Sequence, residues 1–403
     1  MLYSLGVFKV RIGKCGAWLS FLIFLLIACS SDTITDPTLP ATLRIIPLPD
    51  HAQFSWTLSD KQGFAQEGTG EAEVENLAPG EYTVSWEYRL GWDAPPRRTF
   101  FLESAESKQL VEKYEPPQGF VEIAPGSFLM GTPEDEPFFW PHEYPQHRVT
   151  ISPWLHVQST EVTNSQYMHL AEWAWTRGYC QATRFRLSDS MGDGSTLLDL
   201  GDSDCEIAFD GEEFSCVNPD HPVKELTWFG AVSYCNWMSL YLRLPLAYDP
   251  VTWECNEGSP HSSQGFRLPT EAEWEYACRA GTSSAYCCGP INDDNCCDEP
   301  ALVDYGWFCE EEGSFIVAQK LPNAWQLYDM HGNVSEWCND WYSEGYPSED
   351  QTDPLGASTG EKRIQRGGDW GNCAFGCRSA NRGPQHPDTA TKKVGFRVLR
   401  TAY

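Results

Sequence analysis

The chain has 403 residues, of which 41% are hydrophobic and 13% aromatic, so it is long enough for two or more folded domains and is not a disordered tail. Asp and Glu number 57 against 28 Lys and Arg, which gives a formal net charge of -29. This charge disfavours phosphate backbones and anionic lipid surfaces as partners, and it argues against nucleic acid as a partner. The 16 cysteines exceed what a reducing compartment usually carries, and they indicate an oxidising compartment or metal binding.

The amino-terminal segment predicts export. Basic residues precede an apolar run at 17–28, which is short for a membrane span but suits a signal peptide. The run ends in Leu26-Ile27-Ala28-Cys29, which resembles the lipobox of bacterial lipoproteins. We therefore predict a signal peptide at 1–28, lipidation of Cys29, and a Pro-punctuated tether at 29–40. The resemblance implies an outer-membrane lipoprotein that faces the periplasm or the cell surface. An uncleaved anchor helix is the alternative, and it also leaves the rest of the chain outside the cytoplasm.

Residues 41–114 predict a small all-β sandwich. Tyr82, Val84, Trp86 and Tyr88 alternate with polar residues, which is the period-two pattern of a strand that buries one face. Pro79 and the glycine after it supply a turn just before that strand. The phrase NLAPGEYTV at 76–84 resembles a strand of PEGA and carboxypeptidase-regulatory modules, which implies a spacer or adhesive platform.

A Pro-rich linker leads into a second predicted domain at 118–402. Three helix starts are indicated there: capping boxes at Thr163 and at Thr270, and a stretch that begins at Thr227. Long Gly-, Pro- and Trp-rich stretches surround them, so the predicted class is an irregular α+β domain.

The cysteines predict a disulfide framework. Without Cys15 and Cys29, 14 cysteines are left in an oxidising space, which is an even number. Neighbouring cysteines close a strained ring, so the members of the adjacent pairs at 287–288 and 296–297 are each expected to bridge a distant partner. A zinc cluster is the less favoured alternative.

Six phrases, which occur in the same order as in the family, resemble the formylglycine-generating-enzyme (sulfatase-modifying factor) domain over nearly all of residues 118–402. They are FVEIAPGSFLMG at 120–131, EVTN at 161–164, HPV at 221–223, RLPTEAEWEYA at 267–277, LYDMHGNVSEW at 327–337, and RGGDW at 366–370 with CRSA and GFR after it. The resemblance implies a variant of the C-type lectin fold with bound calcium. It also implies an enzyme that uses molecular oxygen and two copper(I)-binding cysteines to convert a peptide cysteine to formylglycine.

The matching cysteine positions depart from that pattern. Cys377 falls where the resemblance places the second catalytic cysteine, but the first position is Asn372, with Cys373 one residue later. Asp369 replaces the expected Ser, and Ser335 replaces the expected Trp. Two interpretations stay open for Cys373 and Cys377: a shifted copper or redox pair, and two disulfide arms, of which we favour the second.

The calcium loop matches more closely. The resemblance implies carboxylate ligands from Asp329 and Glu336 and backbone carbonyl ligands from Gly332 and Val334, a set of oxygen donors that suits calcium. An ordinary Gly-Asn turn is the alternative. The calcium is expected to be structural, and copper is expected only if the chain is catalytic.

The sequence therefore predicts an envelope lipoprotein whose second domain binds or scaffolds an exported protein or peptide with an altered oxidase site. The alternative is a copper-dependent oxidase acting on a peptide cysteine. Glycan binding is open, because a lectin-like fold permits it while the usual Glu-Pro-Asn and Gln-Pro-Asp tripeptides are absent. The acidic insert at 189–220, which is bounded by cysteines, is either a partner-specific element or a solvated loop pinned by Cys205 and Cys216.

Overall fold

The computed structural model describes residues 39–89, 92–292 and 295–402. The predicted signal peptide, Cys29 and all but the last two residues of the predicted tether lie outside these ranges. None of the helices in the described ranges is both long and apolar enough to cross a bilayer.

The amino-terminal unit consists of seven strands in two sheets. They are β1 Ala41–Leu48, β2 Ser55–Asp60, β3 Ala65–Thr69, β4 Ala72–Leu77, β5 Gly80–Trp86, β6 Arg98–Leu102 and β7 Ser107–Lys113. One sheet has the order β4-β1-β7 and the other β3-β2-β5-β6. Both sheets contribute to a single core, in which Leu43 and Ile45 of the first sheet pack with Trp56, Leu58 and Val84 of the second.

The alternation in β5 places its side chains as the sequence predicts, but the strand is shorter than the pattern. Tyr82 and Val84 are buried, while Ser85 next to them is exposed. The strand ends at Trp86, and Tyr88, which continues the pattern, is 71% exposed. The inward prediction for Tyr88 is therefore wrong, because the ladder that sets the alternation stops two residues earlier.

The remaining chain combines three helices with short strands. The helices are α1 Asn164–Trp175, α2 Trp228–Tyr241 and α3 Glu271–Arg279. The first strands are β8 Phe120–Ile123, β9 Gly126–Met130, β10 His147–Ile151, β11 Trp154–Gln158, β12 Cys180–Thr183, β13 Arg186–Asp189, β14 Thr196–Leu198, β15 Ile207–Phe209 and β16 Phe214–Cys216. The last are β17 Ser335–Trp341, β18 Gln351–Thr352, β19 Arg363–Arg366, β20 Arg382–Gln385, β21 Val394–Gly395 and β22 Leu399–Ala402. These strands form small sheets of two to four members, so the structure is mixed and irregular, as predicted.

The predicted helix starts are confirmed. The Thr163 and Thr270 side chains each accept from the backbone N–H three residues later, and Gln166 and Glu273 complete the two capping boxes. The Thr227 hydroxyl accepts from the Gly230 N–H at 3.1 Å. Local hydrogen bonding thus fixes where each helix begins.

Buried ion pairs lie in the interior of the second unit, and all but Arg267–Glu273 join segments at least 61 positions apart. Four arginines with at most 1% exposure carry them, namely Arg267, Arg366, Arg378 and Arg397. Their partners are Glu273, Glu275, Glu143 and Glu336, at N–O distances of 2.5 to 2.7 Å. Removing one partner of such a pair leaves an uncompensated buried charge, so each pair ties its two segments together.

The prediction of a disulfide-rich fold is wrong for the described residues. They contain one disulfide, Cys297–Cys309, and twelve free thiols. Cys205 and Cys216 are both free, so they do not pin the acidic insert. The insert is instead held by the β15–β16 hairpin and by Glu206, whose carboxylate accepts from Asn164, Asn218 and Lys224.

Candidate functional site

The two cysteines matched to the oxidase pair lie on one short turn. Cys373 precedes a 3-10 turn at Ala374–Cys377, and Cys377 is its last residue. Cys377 has no exposed surface. Its sulfur packs on Gly368, where a Cβ would lie only 2.8 Å from the Sγ atom and where φ is +72°. Gly368 is thus required for the sulfur to fit, and the backbone closes over it.

The electrostatics of the Cys377 thiol favour its neutral form. Burial, followed by the charges of Asp369 and Cys373, raises the pKa of Cys377 well above its usual value. Copper(I) binds the thiolate rather than the thiol. The sulfurs are soft donors, as copper requires. A buried and protonated Cys377 nevertheless fits the ion poorly.

Cys373 has a sulfur neighbour that sequence reasoning missed. A hydrogen bond with Cys373, followed by burial, raises the pKa of the Cys296 thiol. The segment next to the disulfide is fastened to the same turn, because Ala374 N–H donates to Cys296 O at 2.9 Å and Cys309 N–H donates to Asn372 O at 2.7 Å. Cys296 lies 77 positions from Cys373 in the chain, and only the Cys-Cys doublet at 296–297 marked it in the sequence.

His331 connects the cysteine turn to a second thiol pair. Its Nδ1 lies 2.8 Å from Cys377 O, and its Nε2 accepts from the Cys287 N–H at 3.1 Å. Burial lowers the pKa of His331, so the neutral ring donates from Nδ1 and accepts at Nε2. Cys287 and Cys288 share a hydrogen bond that raises the pKa of Cys287 and lowers that of Cys288. Cys287 and Cys288 thus contact each other and neither forms a disulfide, whereas in the second doublet Cys297 bridges Cys309, 12 positions away.

One lysine, Lys393, contacts both positions that depart from the family pattern, Asp369 and Ser335. Lys393 Nζ lies 2.8 Å from Asp369 Oδ1, which also accepts from the Gly371 N–H. Ser335 is buried, and its N–H donates to Lys393 O at 2.9 Å. The carboxylate that replaces the expected Ser is therefore partnered by an ammonium group.

Residues 133–140 cover the cysteine turn from outside. Phe138 stacks on Phe375 with ring centroids 4.0 Å apart and an interplanar angle of 7°. Glu136 pairs with Arg378 at 3.0 Å. Phe138, Phe139 and Trp140 are 43%, 43% and 55% exposed. An apolar ridge, made by these three exposed rings, thus stands over the turn that carries Cys373 and Cys377.

The predicted calcium loop is built around a glycine that admits no side chain. Gly332 has φ of +92°, and a Cβ there would lie 1.8 Å from Trp307 O. Asp329, at φ of +57°, is 2% exposed. Its Oδ2 accepts from Ala318 N–H at 2.7 Å, while its Oδ1 is buried without a partner among the described residues.

Glu336 and a glutamate that sequence reasoning missed complete this set. Glu336 is held by Arg397 through both oxygens and by the Trp274 indole N–H. Glu161 is fully buried, and its oxygens accept from Val334 N–H and the Asn333 amide. In the sequence it was marked only as the first residue of the EVTN phrase at 161–164.

The charges of this set fit a divalent cation. Burial, then the charges of Asp329 and Glu336, raises the pKa of Glu161 well above its usual value. Burial raises the pKa of Asp329 to about 6. Arg397 compensates one of the three carboxylates, which leaves two like charges and an orphaned oxygen in the interior. Oxygen donors of this kind suit calcium, which Asp329 and Glu161 could hold with the loop carbonyls of Gly332 and Val334; its role there would be structural.

Comparison with known proteins agrees with this architecture. Residues 106–402 match the family described as Sulfatase-modifying factor enzyme 1-like domain, and the chain belongs to that family. The resemblance to formylglycine-generating enzymes is thereby confirmed.

Individual relatives match over most of their length. The chain is 27% identical over 316 residues to the formylglycine-generating enzyme of Bos taurus, which covers 70% of this chain and 74% of the relative. It is 28% identical over 322 residues to that of Streptomyces coelicolor, which covers 71% and 90%. The solved structure of PvdO from Pseudomonas aeruginosa superposes with a TM-score of 0.50 at 24% identity over 70% of this chain and 94% of that one, which shows a shared fold.

Proposed function

We propose that this chain is an outer-membrane lipoprotein, anchored at Cys29, whose formylglycine-generating-enzyme-like domain binds an exported protein or peptide instead of oxidising one. The observation that carries the proposal is the state of Cys377. A peptide cysteine has to reach the reactive sulfurs, and Cys377 has no exposed surface while its thiol is held in the neutral form.

The apolar ridge supports a binding role at the same place. Exposed aromatic side chains that lie together on a soluble domain commonly mark a contact surface. Phe138, Phe139 and Trp140 are such a set, and Phe138 is held on the cysteine turn by stacking on Phe375. The seven-strand unit, which we propose as a sandwich-type spacer, would hold this surface away from the membrane.

A copper(I) titration of the reduced chain tests the loss of the oxidase site. We expect no tight binding that depends on Cys377, so the Cys377→Ser variant and the chain with Cys377 should titrate alike. Cys180→Ser, which removes a buried thiol on β12, is the matched control. Tight binding lost only in Cys377→Ser would favour the oxidase.

A substrate assay tests the same alternative directly. We expect a Cys-x-Pro-x-Arg peptide, incubated with the chain, copper and oxygen, to show no mass loss at its cysteine. A photo-crosslinking residue in place of Trp140 tests the binding role, with one in place of the exposed Val251 as control. We expect a discrete envelope protein to be captured from Trp140 alone, and equal capture from both positions would argue against the ridge.

A further inference from the structure

Three carboxylates converge at the junction of the acidic insert and the segment that leads into α2. Asp202 and Asp204 belong to the insert, and Glu225 lies three residues before the first residue of α2. One oxygen from each of the three lies within 4.8 Å of the others. This group is separate from the set of Glu161, Asp329 and Glu336 described above.

Glu225 is the unusual member of the group. It is 5% exposed, whereas Asp202 is exposed and Asp204 half-buried. Within the described ranges its carboxylate has no hydrogen-bond or ion-pair partner, although it lies beside two other acids. Burying an ionised carboxylate without a partner is strongly unfavourable, so either a proton or a cation has to compensate it.

The backbone holds Glu225 in this position. Its N–H donates to Thr391 O at 3.1 Å, and its carbonyl accepts from Asp199 N–H at 2.9 Å. Burial, followed by the charges of Asp202 and Asp204, raises the pKa of Glu225 to about 7. A proton therefore compensates this carboxylate only incompletely at neutral pH.

The surrounding cations do not neutralise the group. Lys392 Nζ lies 3.2 Å from Asp204 Oδ2, but both side chains are nearly half exposed. Lys224, next in sequence to Glu225, lowers the pKa of Glu225 by its charge but donates its hydrogen bond to Glu206. Three carboxylates thus have two ammonium groups near them, of which one is shared with Glu206, and the group has an excess of negative charge.

The spacing of the oxygens fits one ion. Calcium–oxygen distances are about 2.4 Å, so two ligands on opposite sides of the ion are about 4.8 Å apart, and closer ligands fit on one side. Calcium accepts irregular sets of carboxylates and water, whereas magnesium demands a near-ideal octahedron. We infer that Asp202, Asp204 and Glu225 bind a calcium ion that fastens the acidic insert to the start of α2.

Calorimetric titration of calcium into the full chain, stripped of metal and held in detergent, tests the inference. The Asp329→Asn background separates this site from the proposed loop site. In that background we expect one calcium ion to bind, and we expect Glu225→Gln to weaken it at least tenfold. The control is Asp210→Asn, an exposed insert acid that accepts from its own turn, and it should leave binding unchanged.

Two results would overturn the inference: no calcium binding in the Asp329→Asn background, or unchanged affinity in Glu225→Gln. If near-ultraviolet circular dichroism shows that Glu225→Gln is misfolded, the double variant Asp202→Asn with Asp204→Asn decides. Its replaced side chains are not buried, so it should fold, and it should also bind calcium at least tenfold more weakly. Unchanged binding in this double variant counts equally against the site, as does magnesium binding as tight as calcium.

Discussion

Asp340 on β17 is a buried acid whose charge should oppose folding. It is 3% exposed, and its Oδ2 accepts from the Glu271 N–H at 2.8 Å, at the first residue of α3. Burial, followed by the charge of Glu271, raises the pKa of Asp340 to about 7 from an ordinary value of 3.8. Each pH unit between those values is worth about 1.4 kcal/mol, so ionisation lowers the free energy of unfolding by about 4 kcal/mol.

The sign of this effect is the reverse of ordinary acid denaturation. Below about pH 4 the carboxyl is protonated in both states, and it has no effect. Between about pH 4 and 7 the unfolded chain has lost its proton while the folded chain keeps it, so stability falls as pH rises. Asp340→Asn removes this loss and keeps an oxygen for the Glu271 N–H, but its amide N–H groups need new partners, at about 1 to 3 kcal/mol. We expect the variant to be about 1 to 3 kcal/mol more stable than the parent at pH 8.

Urea unfolding at pH 4.5 and pH 8, both in millimolar calcium, measures this difference. The gain should be present at pH 8 and absent or reversed at pH 4.5. Asp350→Asn, at an exposed position, should change stability at neither pH. Asp340→Asn that is destabilised equally at both pH values would show that the carboxylate is ionised and stabilised in the fold, and the reasoning would fail.

Three further predictions concern packing, charge and metal. Gly332→Ala should prevent folding at 37 °C, measured as loss of soluble chain, because a Cβ there meets Trp307 O at 1.8 Å. Glu273→Gln should lower the free energy of unfolding by about 3 to 5 kcal/mol at pH 7, measured in urea, because it breaks a fully buried pair with Arg267. A chelator should lower the melting temperature of the parent chain by more than that of Asp329→Asn, because the variant has already lost the proposed loop site.

The predictions for Gly332→Ala and Glu273→Gln each have a control or an outcome that would contradict them. A folded Gly332→Ala would mean that the Trp307 backbone can move aside, and Gly63→Ala, with open space around it, is the comparison. Although burial raises the pKa of Glu273, Arg267 and His261 overcome it and hold the pKa below the usual range. The stabilisation from this group is therefore present above about pH 4.5 and lost as pH falls. The gap between parent and Glu273→Gln should narrow as pH falls below about 4.5, and a gap that widens there contradicts this assignment.

Local hydrogen bonding made the helix starts predictable. The Thr163 and Thr270 capping boxes lie within four consecutive residues each, so the sequence contains both partners of every bond. The helix ends are less predictable: α3 ends at Arg279, and Ala280 takes the left-handed conformation although glycine, which favours it, is the next residue, Gly281. A residue other than glycine can take that conformation when packing compensates, which a sequence pattern does not reveal.

Long-range partners could not be derived in this way. An even number of cysteines says nothing about which sulfurs meet, and the hydrogen bond between Cys296 and Cys373 depends on two loops folding together. Glu161 likewise meets Asp329 across 168 positions of chain. The ligand set implied by family resemblance includes Glu336, whose pairing with Arg397 no sequence pattern indicated, and Glu336 stays a predicted calcium ligand.

The four buried arginine–glutamate pairs have a consequence for how this architecture can diversify. Each pair fixes two segments by direction as well as by contact, since a guanidinium and a carboxylate fit in few orientations. Connecting segments between such anchors are then free to lengthen without disturbing the frame. The arginine and the glutamate of one pair should change only together, so sequence variation in this architecture should concentrate in its loops.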